Sequence, residues 1–174
     1  MLNAFYLWEA HLMQSLGFYK IAPYLKILNA LDTIWFYYTF VILVFIFYGK
    51  RWGCLSFFMM VSTAVLIWAL KNLFQLPRPG FFIPSLTILK MRSYGFPSGT
   101  AFNSILIFWL IITINNKSKN SLFFAAFLFL ITNLARVILG VHFFSDLIGG
   151  WFFGGMFLLL LLRNNFSKKM FGVP

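Results

Sequence analysis

Long apolar segments alternate with short polar ones along most of this 174-residue chain. An α-helix needs about 20 predominantly apolar residues to cross the hydrocarbon core of a bilayer. Five segments reach or approach that length, so the pattern predicts five membrane-spanning helices. They cover residues 34–48, 55–74, 98–114, 121–139 and 143–162. The first segment is short, but Asp32 and Thr33 can cap its helix and extend it slightly.

The connections between these predicted helices alternate in character. Those after the first, third and fifth helices are basic and contain Lys50 and Arg51, then Lys117 and Lys119, then residues 163–169. Because Lys and Arg accumulate on the cytoplasmic side of a membrane, these connections are predicted to be cytoplasmic. The polar clusters that could carry chemistry all fall at the opposite end. The functional site is therefore predicted to face outward.

Residues 1–32 mix aromatic and polar side chains without reaching spanning length. The favoured interpretation is an amphipathic helix in the outer interface, broken near Pro23, and an additional short span is the alternative. The prediction is thus an all-α membrane protein with a single membrane-embedded domain, 1–174. It comprises the interfacial segment 1–32, a helical bundle over 33–162 and a cytoplasmic tail over 163–174.

Composition supports a lipid environment for the chain. Charged residues make up 10% of the sequence, against about 25% in soluble globular proteins. The net charge of +11 could indicate nucleic-acid binding, but that function needs a soluble basic face. Here the basic residues interrupt apolar runs instead. Contact with a membrane and with an anionic substrate explains the charge better.

The first polar cluster lies at the predicted outer end of the second helix. Pro77 and Pro79 stop that helix and hold Arg78 in an extended turn. Arg78 and Lys71 are therefore expected to lie near each other at the membrane boundary. Contact of both cations with lipid head groups is the alternative interpretation.

The second cluster, Pro97-Ser98-Gly99-Thr100, opens the third predicted helix. Ser98 suits the capping position, and Pro97 suits the residue before a helix. Such a helix end presents unpaired N–H groups that favour an anion. A purely structural cap is the alternative.

The third cluster contains Arg136, His142 and Asp146. His142 and Asp146 are four residues apart, so they share one face of a helix. A carboxylate in that place can orient the imidazole, stabilise its charged form and leave the other ring nitrogen free. Asp146 is also the one acidic residue inside a predicted span, a position that usually marks a functional site. A structural Asp–His pair is the alternative.

Taken together, the three clusters resemble the type 2 phosphatidic acid phosphatase superfamily. Its pattern is Lys, six residues, Arg-Pro; then Pro-Ser-Gly-His; then Ser-Arg, five residues, His, three residues, Asp. The chain follows this pattern in order and spacing across residues 71–146. The matching positions are Lys71, Arg78, Pro79, Pro97, Ser98, Gly99, Arg136, His142 and Asp146.

The resemblance implies a helical bundle that dephosphorylates a lipid without a metal cofactor. His142 would attack phosphorus and form a phosphohistidine, with Asp146 orienting its ring. The side chains and backbone expected to hold the phosphate oxygens belong to Lys71, Arg78, Ser98, Gly99 and Arg136. Phosphoryl transfer mainly requires positioning and charge stabilisation, which these groups can supply. The expected partners are a lipid phosphate and the bilayer, not nucleic acid.

Two positions depart from the family pattern: Ala135 replaces its Ser, and Thr100 replaces the His of the second motif. In the family that His protonates the leaving oxygen, and loss of a general acid typically costs about 10²–10⁴-fold in rate. A Thr hydroxyl cannot act as an acid near neutral pH. Three explanations are open: the chain is inactivated, another group or a water supplies the proton, or the leaving group needs little help.

The function expected from the resemblance is that of a lipid phosphatase or phosphotransferase at the outer, periplasmic face of a bacterial inner membrane. A lipid alcohol leaves poorly without a proton, whereas a lipid monophosphate leaving from a diphosphate is a stable anion. Thr100 therefore favours a polyprenyl diphosphate such as undecaprenyl diphosphate. The alternative is a protein that binds lipid phosphates without turning them over. A transporter is not supported, because the chain shows no broken mid-membrane helix or paired repeat.

Overall fold

The structure, a computed structural model, describes residues 2–89 and 91–163. These residues form seven α-helices and two short 3₁₀ helices, which confirms the predicted all-α class. The α-helices are α1 (Leu2–Ser15), α2 (Phe18–Ile21), α3 (Ile34–Phe74), α4 (Pro79–Phe82), α5 (Gly99–Ile114), α6 (Lys119–Ile138) and α7 (Phe144–Arg163). The 3₁₀ helices are Lys26–Asp32 and Pro84–Leu86. Residues 164–174 of the predicted cytoplasmic tail lie outside the described residues.

Helix α3 is interrupted at Gly49, whose φ of 84° lies in the left-handed region that glycine adopts readily. Side chains from the two sides of this break pack together, with Val44 and Leu55 in one apolar cluster. The arms 34–48 and 50–74 therefore form a helical hairpin and correspond to the first and second predicted spans. The second arm begins at Lys50 instead of Leu55, because a single residue makes the turn.

The described helices account for all five predicted spans. Ile34–Phe82, Lys119–Ile138 and Phe144–Arg163 are long and apolar enough to cross a membrane, and the first of these contains the α3 hairpin. Helix α5 is apolar but shorter. Its N-terminal boundary differs from the prediction by one residue, because Ser98 caps the helix instead of beginning it.

Helix α5 lies at the centre of the bundle and packs against α3, α6 and α7. Gly150 and Gly154 make the approach of α7 possible. A Cβ atom on Gly150 would lie 2.5 Å from the carbonyl oxygen of Ser98, and one on Gly154 would lie 2.8 Å from that of Phe102. Small residues four apart allow such close backbone contact between helices. This contact brings the beginning of α5 against the first turns of α7.

The N-terminal segment packs onto the same end of the bundle. Tyr6, Ala10 and Met13 of α1 are buried in a cluster with Phe143 and Leu147. Helix α1 has 14 residues, so it is about 21 Å long and too short to span a bilayer. The predicted break near Pro23 is present as a turn over residues 22–25, and the chain also turns at residues 16–17.

The two ends of the bundle differ as the sequence predicted. At one end the Tyr48 hydroxyl donates to Asn115 Oδ1 at 3.1 Å, so the connections with basic residues lie together. At the other end Gly95 N donates to the carbonyl oxygen of Leu76 at 2.8 Å, and Ser98 N donates to that of Asp146 at 2.9 Å. The three polar clusters therefore share that end.

The close contact between α5 and α7 predicts that Gly150→Ala destabilises the protein. The added methyl group meets backbone, and such overpacking typically costs about 1–3 kcal/mol. Gly155→Ala is the matched control in the same helix, because a Cβ there meets nothing within 4 Å. The measurement is the thermal unfolding midpoint of each variant in detergent. Equal midpoints for the two variants would contradict the packing described above.

Candidate active site

The loop between α3 and α5 folds back over the end of α3. Gln75, with φ of 51°, ends the helix, and Pro77 and Pro79 prevent its continuation. The loop returns at Gly95, where a Cβ would lie 2.6 Å from the Pro77 carbonyl oxygen and 3.1 Å from Asp146 Oδ2. A residue without a side chain is needed there. The loop thereby brings the first two clusters against the third.

His142 and Asp146 form the buried centre of the site. His142 Nδ1 lies 3.1 Å from Asp146 Oδ2, and the same oxygen accepts from Phe143 N at 3.0 Å. His142 is 4% exposed and Asp146 is fully buried. A carboxylate at this distance orients the ring with its Nδ1 proton toward Asp146. The other ring nitrogen, Nε2, then carries the free lone pair.

The guanidinium of Arg78 lies against that second nitrogen. Its Nη1 is 3.4 Å from His142 Nε2 and also donates to the carbonyl oxygen of Val141. On the other side Nε and Nη2 donate to Ser93 O at 2.7 Å and Ser93 Oγ at 3.0 Å. Arg78 is therefore held by two separate loops, with its charge over the imidazole.

Lys71 binds the backbone of the loop between α3 and α5. Its Nζ donates to the carbonyl oxygens of Tyr94 at 2.6 Å and Gly95 at 3.0 Å. Burial, reinforced by the charges of Arg78 and Lys71, holds the pKa of His142 well below its usual value of 6.5. The imidazole is therefore neutral near pH 7.

Ser98 joins the second cluster to the third through its backbone. Its N–H donates to the carbonyl oxygen of Asp146 at 2.9 Å. Its buried hydroxyl accepts from Ala101 N at 3.3 Å, so it caps α5. Gly99 is the first residue of α5 and lies directly behind this cap. The hydroxyl of Ser98 therefore has the structural role that the sequence left open as an alternative.

The guanidinium of Arg136 binds the N-terminal segment. Nη1 donates to Asp32 Oδ2 at 3.0 Å and Asn29 Oδ1 at 3.1 Å, and Nη2 donates to Leu28 O at 3.4 Å. All three acceptors belong to the 3₁₀ helix Lys26–Asp32. Arg136 is 1% exposed, and a buried guanidinium requires such partners. Its role in holding phosphate remains a prediction.

Thr100 lies in the first turn of α5, two residues after the cap Ser98. It is 3% exposed and lines a small internal cavity with Leu31, Tyr37 and Ser104. Among the residues described, its hydroxyl has no hydrogen-bond partner. The structure therefore assigns no proton donor to this position.

The sequence pattern did not predict that two carboxylates contact Arg136 and the beginning of α7. Asp32 pairs with Arg136, and Glu9 accepts hydrogen bonds from Ser145. Their rarity could have indicated these contacts, because the chain has only three acidic residues. In an apolar chain each such residue needs a partner.

A cavity of about 670 Å³ lies beside Arg78. Its wall is mainly apolar and includes the polar side chains of Gln75, Arg92, Ser93 and Tyr94. An anionic group entering this cavity therefore meets Arg78, which stands between it and His142.

Comparison with known proteins gives a family, a relative and a similar structure. The chain matches the family model of the PAP2 superfamily over residues 52–170. Phosphatidylglycerophosphatase B of Bacillus subtilis (strain 168) is 29% identical over 133 residues, which cover 71% of this chain and 63% of that relative. The chain thus spans less than two thirds of the relative's length.

The similar structure is the crystal structure of a transmembrane PAP2 type phosphatidylglycerolphosphate phosphatase from Bacillus subtilis. It matches with a TM-score of 0.68 and covers 97% of this chain and 95% of that one. At 22% identity this likeness shows the fold.

The ion pair of Arg136 predicts a large difference between two substitutions in the N-terminal segment. Asp32→Ala leaves a buried guanidinium without its counter-charge, which typically costs about 3–5 kcal/mol. Asn29→Ala, the matched control, removes one neutral acceptor and should cost about 1 kcal/mol. Thermal unfolding in detergent measures both effects. Similar losses in the two variants would show that the ion pair adds nothing beyond a hydrogen bond.

Proposed function

The chain belongs to the PAP2 superfamily, and we propose from this premise that it is a membrane lipid phosphatase with His142 as its nucleophile. The observation that carries the proposal is the placement of this imidazole. Asp146 orients it from one side at 3.1 Å, and the guanidinium of Arg78 covers its free nitrogen at 3.4 Å. The name of the relative, a phosphatidylglycerophosphatase, supports a lipid phosphate as the substrate.

In the proposed reaction, the lone pair of His142 Nε2 attacks phosphorus and the bond from phosphorus to the leaving oxygen breaks. The product is a phosphohistidine whose positive ring is stabilised by Asp146. Water then attacks phosphorus, the phosphorus–nitrogen bond breaks, and inorganic phosphate leaves. As phosphorus approaches, Arg78 exchanges its contact with His142 for the phosphate oxygens. Lys71 and Arg78 stabilise charge on those oxygens throughout.

The proposed phosphate ligands receive unequal support from the geometry. Lys71 and Arg78 lie at the loops that surround His142, and the N-terminus of α5 with Ser98 and Gly99 lies against Asp146. Arg136 remains a proposed ligand because of its place in the family pattern. Its side chain binds Asp32 in the structure, so it supports the proposal less directly.

The proposed site faces the outside of a bacterial inner membrane. The end of the bundle that carries His142 is opposite to the end with Lys50, Arg51, Lys117 and Lys119. Basic connections favour the cytoplasm, so the site is assigned to the periplasmic or outer face.

Within the lipid phosphates, we propose a preference for diphosphates such as a polyprenyl diphosphate. Thr100 occupies the position of the family's proton donor, and its hydroxyl cannot protonate a leaving alkoxide. A lipid monophosphate can leave as an anion without that proton. The test compares turnover of a polyprenyl diphosphate with that of phosphatidic acid and phosphatidylglycerophosphate in detergent. Faster turnover of the two monoesters would exclude the preference.

The second candidate function is binding of lipid phosphates without turnover, and Thr100 is the observation that favours it. Thr100→His restores the family residue and separates the two candidates. An active wild-type protein supports the phosphatase. Phosphate release that occurs only in the Thr100→His variant supports the binding protein.

A phosphohistidine intermediate predicts that His142→Ala loses both phosphate release and covalent labelling. The fall in rate should be on the order of 10⁴-fold or more, as for other nucleophiles that act within a catalytic unit. Rapid quenching with ³²P-labelled substrate measures the acid-labile phosphoenzyme. His11→Ala is the matched control, since it removes the other histidine, an exposed residue of α1. Labelling that persists in His142→Ala would place the nucleophile elsewhere.

The environment of His142 predicts the acidic limb of the pH profile. Its pKa is lowered, so the neutral, nucleophilic form persists below pH 6.5 and activity is lost only at still lower pH. The pH dependence of kcat/KM measures this limb in the free enzyme. Lys71→Gln removes one of the nearby cations, so it should move the limb to higher pH besides lowering the rate. A limb centred above pH 6.5 in the wild-type protein would contradict the assignment.

A further inference from the structure

The beginning of α7 lacks half of its local cap. Asp146, in the first turn, reaches back and accepts from Phe143 N at 3.0 Å. This is one of the two reciprocal bonds of a capping box. The other bond needs a polar side chain on the residue before the helix, and Phe143 has none. The N–H groups of the first turn have no acceptor within the helix and therefore need one from elsewhere.

Glu9 of α1 supplies that acceptor. Its Oε1 accepts from Ser145 N at 2.8 Å, and its Oε2 accepts from Ser145 Oγ at 2.7 Å. Glu9 is 3% exposed, so water does not compete strongly for these bonds. A carboxylate at this place also complements the positive end of the α7 dipole.

Helix α1 makes a second contact with the same turn. The ring of Tyr6 packs on that of Phe143 with centroids 5.0 Å apart. Tyr6 and Glu9 are three residues apart and therefore lie on one face of α1. Together they hold Phe143 and Ser145, and both of these residues lie between His142 and Asp146 along the chain. Helix α1 thus restrains the turn on which the imidazole and its carboxylate stand.

Docking of α1 does not by itself require a carboxylate. Ala10 and Met13 are buried against the bundle and already hold the helix by apolar contact. Burying a carboxylate is costly, and its hydrogen bonds only compensate for that cost. Glu9 instead fixes an orientation, because its two short hydrogen bonds hold Ser145 of α7 in one position. Glu9 also lies outside the family match at residues 52–170.

We infer that Glu9 is a positioning residue for His142, acting through Ser145 at the beginning of α7. The inference rests on the proposed phosphatase function for its kinetic consequence. It does not rest on that function for its structural one. The carboxylate holds the first turn of α7, the turn holds Asp146, and Asp146 holds the ring of His142.

The kinetic test compares Glu9→Ala with Glu9→Gln. In Glu9→Ala both bonds to Ser145 are lost, and kcat should fall about 10- to 100-fold, as it does when a small displacement misplaces a reacting group. KM should stay within about threefold, because no substrate contact is removed. Glu9→Gln can accept from Ser145 N and donate to Ser145 Oγ, so it should keep most of the wild-type kcat.

The spectroscopic test follows His142 without any substrate. The chain has two histidines, so His11→Gln leaves His142 as the one imidazole in ¹⁵N-histidine-labelled protein. In this background Glu9→Ala should shift the two ring ¹⁵N signals, and Glu9→Gln should restore them. Met13→Ala is the matched control, because it weakens the docking of α1 and leaves both bonds of Glu9 in place. It should lower the unfolding midpoint without shifting the ring signals.

The outcomes separate this inference from the proposed function. If wild-type protein releases no phosphate from any lipid phosphate, the phosphatase proposal fails and the ring signals alone decide the role of Glu9. Unchanged ring signals in Glu9→Ala would overturn the positioning role. Equal shifts of the ring signals in Glu9→Ala and Met13→Ala would also overturn it, because they would mean that His142 depends only on the docking of α1.

Discussion

A charge buried in an apolar bundle needs a partner, and this requirement organises the end of the protein that carries His142. Backbone and side-chain polar groups find little water within a membrane, so each must be satisfied by the protein itself. The side-chain carboxylates of all three acidic residues of the chain have such a partner there. Asp146 holds His142, Asp32 holds Arg136, and Glu9 holds the first turn of α7 through Ser145. Each carboxylate thus has a partner on one short stretch of chain, from the end of α6 to the beginning of α7, and Asp32 also accepts from the Tyr37 hydroxyl at 2.9 Å.

Close backbone packing makes that convergence possible. Gly150 lets α5 and α7 approach until their first turns touch, and Gly95 lets the loop after α3 pass between Pro77 and Asp146. With these two contacts in place, Arg78 reaches over the imidazole from a segment more than sixty residues away in sequence. The contact between Arg78 and His142 therefore depends on positions without side chains as much as on the chemistry of the two residues.

The N-terminal segment has a larger part in this arrangement than its composition suggests. It was expected to lie in the membrane interface, and the structure packs its first helix against Phe143 and Leu147 at the end of the bundle that carries His142. Its carboxylates also bind the third cluster or the helix that carries it, one at Arg136 and one at Ser145. Arg136 shows the consequence most clearly. The family pattern assigns this residue to phosphate, but its Nη1 and Nη2 atoms donate to Asp32, Asn29 and Leu28. In the proposed function, any contact of Arg136 with phosphate would therefore depend on a segment outside the shared motifs.

Features that depend on neighbours along the chain could be predicted from the amino-acid sequence. Apolar length predicted the spans, and the order and spacing of the clusters predicted the family. The predicted contact of His142 with Asp146 is present, but His142 lies two residues before α7 begins instead of sharing a helix face with Asp146. Helical periodicity and hydrophobic length are local properties, so they can be read without a fold. The distant group that pairs with each buried charge could not be predicted in this way and became known from the fold. Asp32 meets Arg136 across 104 residues, and Glu9 meets Ser145 across 136. Such pairings arise from the packing of whole helices, which no local pattern encodes.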